Sequence, residues 1–376
     1  MNRFILILLI LIIFIGIGTS VYFVYSKEKI SKIVQKEIKT EIIPVSPIVR
    51  KIKNMSLDEK IGQMLIIGFE NKYLDDHVQK MIEQYHIGGI NLLGRNVKDK
   101  NQIQQLTTDL QKISDTPLFI ATDQEGGKVI RFNFLYELTS QIRIKDTQQA
   151  EQIALTRARE LREIGVNMNF SPVIDYVSDT QSYLYNRTFG VDPNFTGVLG
   201  SAMIRGYQKG GIIPVAKHFP GYGNIVVDPH RKEAISSVSN ETFNRNLIPF
   251  KKILENNLAD TIAIMTAHIV LTAIDSKPAT LSQKFMTEIL RKQMGFDGVI
   301  ITDDMEMVAT RQAIDQAAAE AVKAGVDMII STYTPVKQIL IFNRLKTAVL
   351  TGEISEERIN ESIMRILKLK SLLVSN

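Results

Sequence analysis

Eight short apolar, β-branched runs, each followed by a longer amphipathic stretch, set the strictest limit on how this chain can fold. They are "QMLIIGF" (63–69), "GGINLL" (88–93), "PLFIATD" (117–123), "VNMNFSPVID" (166–175), "IIPVAKHF" (212–219), "TIAIMTAH" (261–268), "GVIITDD" (298–304) and "GVDMIIS" (325–331). Runs that stay apolar, rather than alternating, suit strands buried on both faces of a parallel sheet. Between them, "AEQIALTRARELREI" (150–164) places Ala154, Ala158, Leu161 and Ile164 on one helical face, with Ile153 and Leu155 at its edges. "KFMTEILRKQM" and "AIDQAAAEAVKA" behave alike, and "VKQILIFNRLKTAVL" and "ERINESIMRILKLKSLL" close the chain. Eight strands alternating with helices predict an α/β fold, a single (β/α)8 TIM-like barrel, in preference to a doubly wound open sheet.

The barrel does not start at residue 1. Phe4–Tyr25 carries no charge and is rich in Ile, Leu and Val, and its 22 residues are long enough to cross a bilayer. Residues 1–26 are therefore expected to be an N-terminal transmembrane signal-anchor, 27–53 a stalk containing Pro44 and Pro47, and 54–376 the catalytic barrel. "SLDE" at Ser56–Glu59 has the form of a capping box opening the first helix. The expected location is the cell membrane, single-pass, with the catalytic domain outside; a cleaved, secreted form, cut at "VYS" (24–26), is the alternative. The flanking charges, Arg3 against Lys27, Lys29 and Lys32, argue for the opposite orientation. Export is preferred because such a segment ahead of one soluble domain usually exports it.

Composition excludes several chemistries. No cysteine means no disulfide, no thiolate metal site, no Cys nucleophile and no lipid-modified Cys. A net charge of +5 without a dense basic stretch gives no reason to expect a nucleic-acid partner.

Polar residues gather at one end of the runs. Asp123 ends the third and Asp175 the fourth; Lys217 and His218 end the fifth, His268 the sixth, and Asp303 with Asp304 the seventh. In a (β/α)8 barrel that end carries the active site. Strands leaving for solvent account for a lone Asp, but poorly for Lys-His, His and Asp-Asp on three neighbouring runs. The residues by themselves allow a carboxylate nucleophile or base with a histidine partner, or a zinc site. No HExxH is present, so a metal is not indicated, and no cofactor is expected.

Seven motifs in order carry a more specific reading: "TDQEGGKVIRF" (122–132), "NRTFGVDP" (186–193), "KHFPGYGNIVVDPH" (217–230), "MTAHI" (265–269), "PATLS" (278–282), "GFDGVIITDDM" (295–305) and "AGVDMI" (324–329). Together they resemble glycoside hydrolase family 3, in its bacterial β-N-acetylglucosaminidase branch, over about Ser56 to Leu373. The resemblance implies that Asp303, after Thr302, is the nucleophile of a retaining reaction. It implies an Asp-His acid/base on a mobile loop, here Asp228 and His230. An imidazole titrates near working pH, so it can give a proton and take one back. Asp123, Arg131, Arg187, Lys217 and His218 match positions that hold the terminal sugar, and Asp175 and His268 stand behind them. Asp304 is expected to point off the barrel axis if strand alternation persists. The glycines of "EGG" and "PGYG" are expected to permit tight turns.

The sequence departs from that branch at Tyr222, where His is common, at Pro229 within the Asp-His pair, at Lys128, and after His230. The implied activity is a retaining exo-β-N-acetylglucosaminidase acting on cell-wall fragments or related glycans as a membrane-tethered monomer. A phosphorylase, or a non-catalytic wall-binding barrel, are the alternatives.

Overall fold

The computed structural model describes residues 26–27, 29, 47–190, 192–229, 232–307 and 312–374. The expected anchor, Phe4–Tyr25, lies outside the described residues. Among the described residues no helix is long and apolar enough to cross a membrane. Two compact units divide between Arg50 and Lys51, and the second holds the barrel.

Its strands are β1 (Leu65–Ile67), β2 (Gly89–Leu92), β3 (Phe119–Thr122), β4 (Met168–Asn169), β5 (Ile213–Phe219), β6 (Ala263–Thr266), β7 (Val299–Asp304) and β8 (Met328–Ser331). Each lies within one of the eight apolar runs. They close into a parallel barrel in sequence order, with β1 meeting β8 through Leu65↔Ile329 and Ile66↔Ile330. Every strand residue is buried except Asp303 and Asp304, as continuous apolar strands require. The run at 166–175 shrinks to two ladder residues because Pro172 has no N–H to offer. Two further short strands, Ala234–Ser236 and Ile269–Leu271, pair outside the barrel.

A helix follows each barrel strand. Several start on an acidic or hydroxyl cap: Asp75, Asp99, Asp146, Asp192 and Ser239 each accept a backbone N–H of the first turn. The Ser56 capping box forms, with Ser56 Oγ accepting from Glu59 N at 3.2 Å and Ser56 N donating to Glu59 Oε2 at 2.7 Å. The helix Thr147–Glu163 buries Ala150, Ile153, Ala154, Ala158 and Leu161, and also Arg157. The segment Lys284–Gln293 is wound as a π-helix, which apolar spacing alone does not separate from an α-helix.

At the base of the barrel Asp327, fully buried, accepts from Arg291 (2.5 Å), Ser362 (2.8 Å) and Ile300 N (2.9 Å). Arg358 and Arg365 flank it at 3.4 and 3.3 Å. This cluster ties the last helix, Glu356–Val374, to the barrel and leaves the opposite end for chemistry.

Candidate active site

Two breaks in strand register shape the C-terminal mouth. The β5–β6 ladder shifts between Lys217 and Phe219. Consecutive residues of a regular strand face opposite ways; here Lys217 and His218 both line the mouth cavity. The β7–β8 ladder shifts between Met328 and Ile330, pairing Ile330 with Asp304. Asp303 and Asp304 accordingly both line the cavity. Regular alternation, on which the expectation that Asp304 points off the axis depended, does not persist here; its carboxylate accepts from Glu306 N at 3.0 Å and from Thr332 Oγ1.

The cavity measures about 340 Å³, near the lower bound of ligand pockets. One wall is ionic. Lys217 Nζ donates to Asp123 Oδ1 at 2.8 Å and pairs with Glu125 Oε1 at 2.7 Å. Arg187 grips Glu125 with two bonds, Nε to Oε2 at 2.9 Å and a terminal nitrogen to Oε1 at 2.7 Å. Arg131 reaches Asp123 Oδ2 at 3.3 Å. Five of the expected residues, Asp123, Arg131, Arg187, Lys217 and His218, line this cavity together with Asp303.

Burial opposes charge on both acids, but the cations prevail. Lys217, Arg131 and Arg187 hold Asp123 well below the usual carboxylate range. Arg187 and Lys217 hold Glu125 at about 2. The same acids overcome burial and raise Lys217 and Arg187. All four are therefore charged across the working pH range, giving a rigid wall of fixed donors and acceptors for hydroxyl groups.

Sequence reasoning missed Glu125. It lies beyond the strand end in "EGG", which reads as a turn, and the turn is real. Gly126 has φ +87°, and a Cβ there would come within 2.2 Å of Thr139 O. Arg157, also unforeseen, braces the turn by donating to Glu125 O and Thr139 O, each at 2.8 Å. An acid two residues after Asp123 was the available signal, but its cation partners are 62 and 92 positions away.

Asp175 and His268 stand behind the lining. Asp175 Oδ2 accepts from His218 N (3.0 Å) and Nδ1 (2.7 Å), while Oδ1 accepts from Tyr222 N (2.7 Å). A carboxylate only accepts, so Nδ1 of His218 carries the proton and Nε2 is the ring atom left for a ligand. His268 Nε2 donates to the Asp304 carbonyl at 3.1 Å, and its Nδ1 meets Thr280 Oγ1 at 2.9 Å. The His268 backbone N–H donates to Tyr222 Oη at 3.2 Å. Tyr222 is buried, edge-on to both His218 and Tyr183. It thus braces the site wall instead of facing solvent.

Asp303 Oδ1 accepts the Asp304 N–H at 2.8 Å. Burial raises Asp304 to about 6, with Glu306 and Asp303 adding repulsion against its bonds from Thr332 and Glu306 N. Asp228 is half-buried in the loop after β5, outside the cavity lining, and its carbonyl accepts from Lys232 N at 3.1 Å. Burial, with Asp175, Asp303 and Asp228 reinforcing it against Arg187, raises the Tyr183 phenol. His230 lies outside the described residues. Among the described residues no group of three His, Asp or Glu is arranged to hold a metal ion.

A carboxylate at the mouth of a (β/α)8 barrel, beside a wall of fixed charges, is an arrangement compatible with a glycoside hydrolase. Residues 56–369 match the family model described as the glycosyl hydrolase family 3 N terminal domain, and the chain belongs to glycoside hydrolase family 3. A β-hexosaminidase of Hydrogenovibrio crunogenus is 32% identical over 321 residues, covering 81% of this chain and 88% of the relative. One of Nitrosomonas eutropha is 35% identical over 262 residues, covering 66% and 74%. The solved family 3 β-N-acetylglucosaminidase from Paenibacillus sp. str. FPU-7 superposes with a TM-score of 0.81 at 33% identity. That match covers 85% of this chain but 63% of the solved one, so the chain spans less than two thirds of that protein's length.

Proposed function

We propose that this glycoside hydrolase is a retaining, exo-acting β-N-acetylhexosaminidase that releases terminal β-GlcNAc from cell-wall fragments or related glycans. One observation carries the reading: a cavity of about 340 Å³ sets Asp303 against the Asp123–Lys217–Glu125–Arg187 network. That space suits one terminal sugar ring, its hydroxyls bonded to the charged wall and its anomeric carbon turned to Asp303. The likeness to β-hexosaminidases and a β-N-acetylglucosaminidase supports the N-acetylhexosamine preference.

In the proposed reaction Asp303 attacks the anomeric carbon and forms a glycosyl ester as the bond to the leaving oxygen breaks. His230 gives its proton to that oxygen, with Asp228 stabilising the imidazolium. Water then attacks the ester, His230 takes the water's proton, and Asp303 is freed. Support for the Asp228–His230 role is the D-x-H spacing in the loop that follows β5. Residues 4–25 are proposed to tether the enzyme to the cell membrane as a monomer with its barrel outside.

The test is turnover of aryl β-GlcNAc beside aryl β-glucoside, with and without phosphate, by wild type and Asp303→Ala. Expected are preference for the GlcNAc substrate, free sugar as product and collapse of turnover in the variant. Preference for the glucoside overturns the substrate class, and a dominant sugar 1-phosphate makes the enzyme a phosphorylase. Unchanged turnover in Asp303→Ala removes the assigned nucleophile.

A further inference from the structure

We propose that Tyr333 is the platform of a second subsite at the cavity mouth, which takes the sugar ring on the leaving side of the scissile bond by stacking against its apolar face. The inference rests on the exo-glycosidase reading above. An exo-acting pocket encloses the terminal ring, so the rest of the glycan leaves through the mouth. Whatever aromatic surface stands at that mouth meets the next ring.

Tyr333 has that position. It lines the cavity and is 54% exposed, whereas Phe170, the other aromatic of the lining, is buried. It stands two residues after β8, beside the Asp303 and Asp304 strand end.

The ring is held in place. The Arg95 guanidinium lies 4.5 Å from its centroid. Arg95 is itself fixed by Phe69 O at 2.8 Å, by Thr332 O and by Glu70 at 3.2 Å. The Tyr333 backbone N–H donates to Glu306 Oε1 at 2.8 Å, and Glu306 also accepts from Ser331 Oγ and Thr334 N. The cation thus lies against the ring while more than half of the residue stays exposed.

An aromatic so fixed loses little side-chain freedom when a ligand stacks on it. A β-linked pyranose turns a face of C–H groups to such a ring while its hydroxyls point outward to water. A single exposed tyrosine without this bracing is an ordinary surface residue; bracing by Arg95 and Glu306 at a cavity rim is what points to a ligand.

The experiment compares wild type, Tyr333→Ala and Tyr333→Phe on two substrates. One is the β-1,4-linked GlcNAc disaccharide; the other is β-GlcNAc fluoride, whose leaving group cannot stack. Tyr333→Ala is expected to lose roughly tenfold in kcat/KM on the disaccharide, mainly through KM, as a lost aromatic contact implies. Its loss on the fluoride should be clearly smaller, and Tyr333→Phe should keep both activities. Equal losses on both substrates would make Tyr333 a support of the cavity, and no loss on the disaccharide would remove the subsite. Wild type turning over neither substrate overturns the glycosidase reading and the subsite with it.

Discussion

Replacing Glu125 by Gln tests the ionic wall directly. The change keeps the side chain's shape and removes one buried charge. Glu125 is 1% exposed and serves two cations, Lys217 and Arg187, which are themselves mostly shielded from water. In the folded protein it titrates at about 2 against an ordinary 4.5. At 1.36 kcal/mol per unit this corresponds to about 3 kcal/mol of stability. Because the folded value is depressed, that contribution is complete above about pH 4.5 and is lost as the pH falls toward about 2. Breaking a buried pair by removing one partner costs a similar ~3–5 kcal/mol. For a barrel unit of this size, 3 kcal/mol lowers Tm by roughly 4–5 °C. The assay is thermal unfolding of wild type and Glu125→Gln from pH 3 to pH 8. Wild type should lose stability steeply below about pH 4.5, and the variant should start lower and fall less. A variant Tm within 1 °C of wild type at pH 7 (under about 1 kcal/mol), with an unchanged acid limb, would refute the reasoning.

Other perturbations separate support from chemistry. Asp304 is raised to about 6 from 3.8, so the folded state binds its proton more tightly than the unfolded one. Stability should therefore drop by about 3 kcal/mol as pH rises from about 4 to about 6; Asp304→Asn should flatten that slope and raise Tm at pH 7, and a lower Tm would count against it. Asp175→Asn leaves one acceptor for the three N–H groups of His218 and Tyr222. It should cost roughly 10–100-fold in kcat/KM, the worth of hydrogen bonds to a charged acceptor. The His218 ring resonances in nitrogen NMR should report a changed tautomer, and an unchanged tautomer would show that Asp175 does not set it.

Much of the barrel could be read from the sequence because burial on both strand faces leaves a continuous apolar run. The site was readable where a polar residue interrupts such a run at its end, as at Asp123, Lys217, His218 and Asp303. Where register departs from regularity, local reading fails. Asp304 was expected to face away if alternation persisted, but the β7–β8 ladder shifts register there and Asp304 belongs to the cavity lining. Glu125 and Glu306 lie in loops, and only tertiary closure brings Lys217, Arg187 and Thr334 to them. Arg157 sits among apolar residues of its helix face and is buried because three loop carbonyls, of Glu125, Glu137 and Thr139, accept its N–H groups. No helical periodicity reveals those acceptors. Tyr222 reads as a loop residue in "PGYG", yet it is 2% exposed between His218 and Tyr183.

The central claim is that Asp303 becomes covalently attached to the terminal sugar. Intact-protein mass spectrometry after incubation with 5-fluoro-β-GlcNAc fluoride, followed by peptide mapping, measures this directly. The account predicts one added fluorosugar per chain, on the peptide "GFDGVIITDDM" at Asp303, and no adduct on Asp303→Ala. An adduct on a different residue, or turnover of β-GlcNAc substrates with inversion at the anomeric carbon and no adduct, would contradict it.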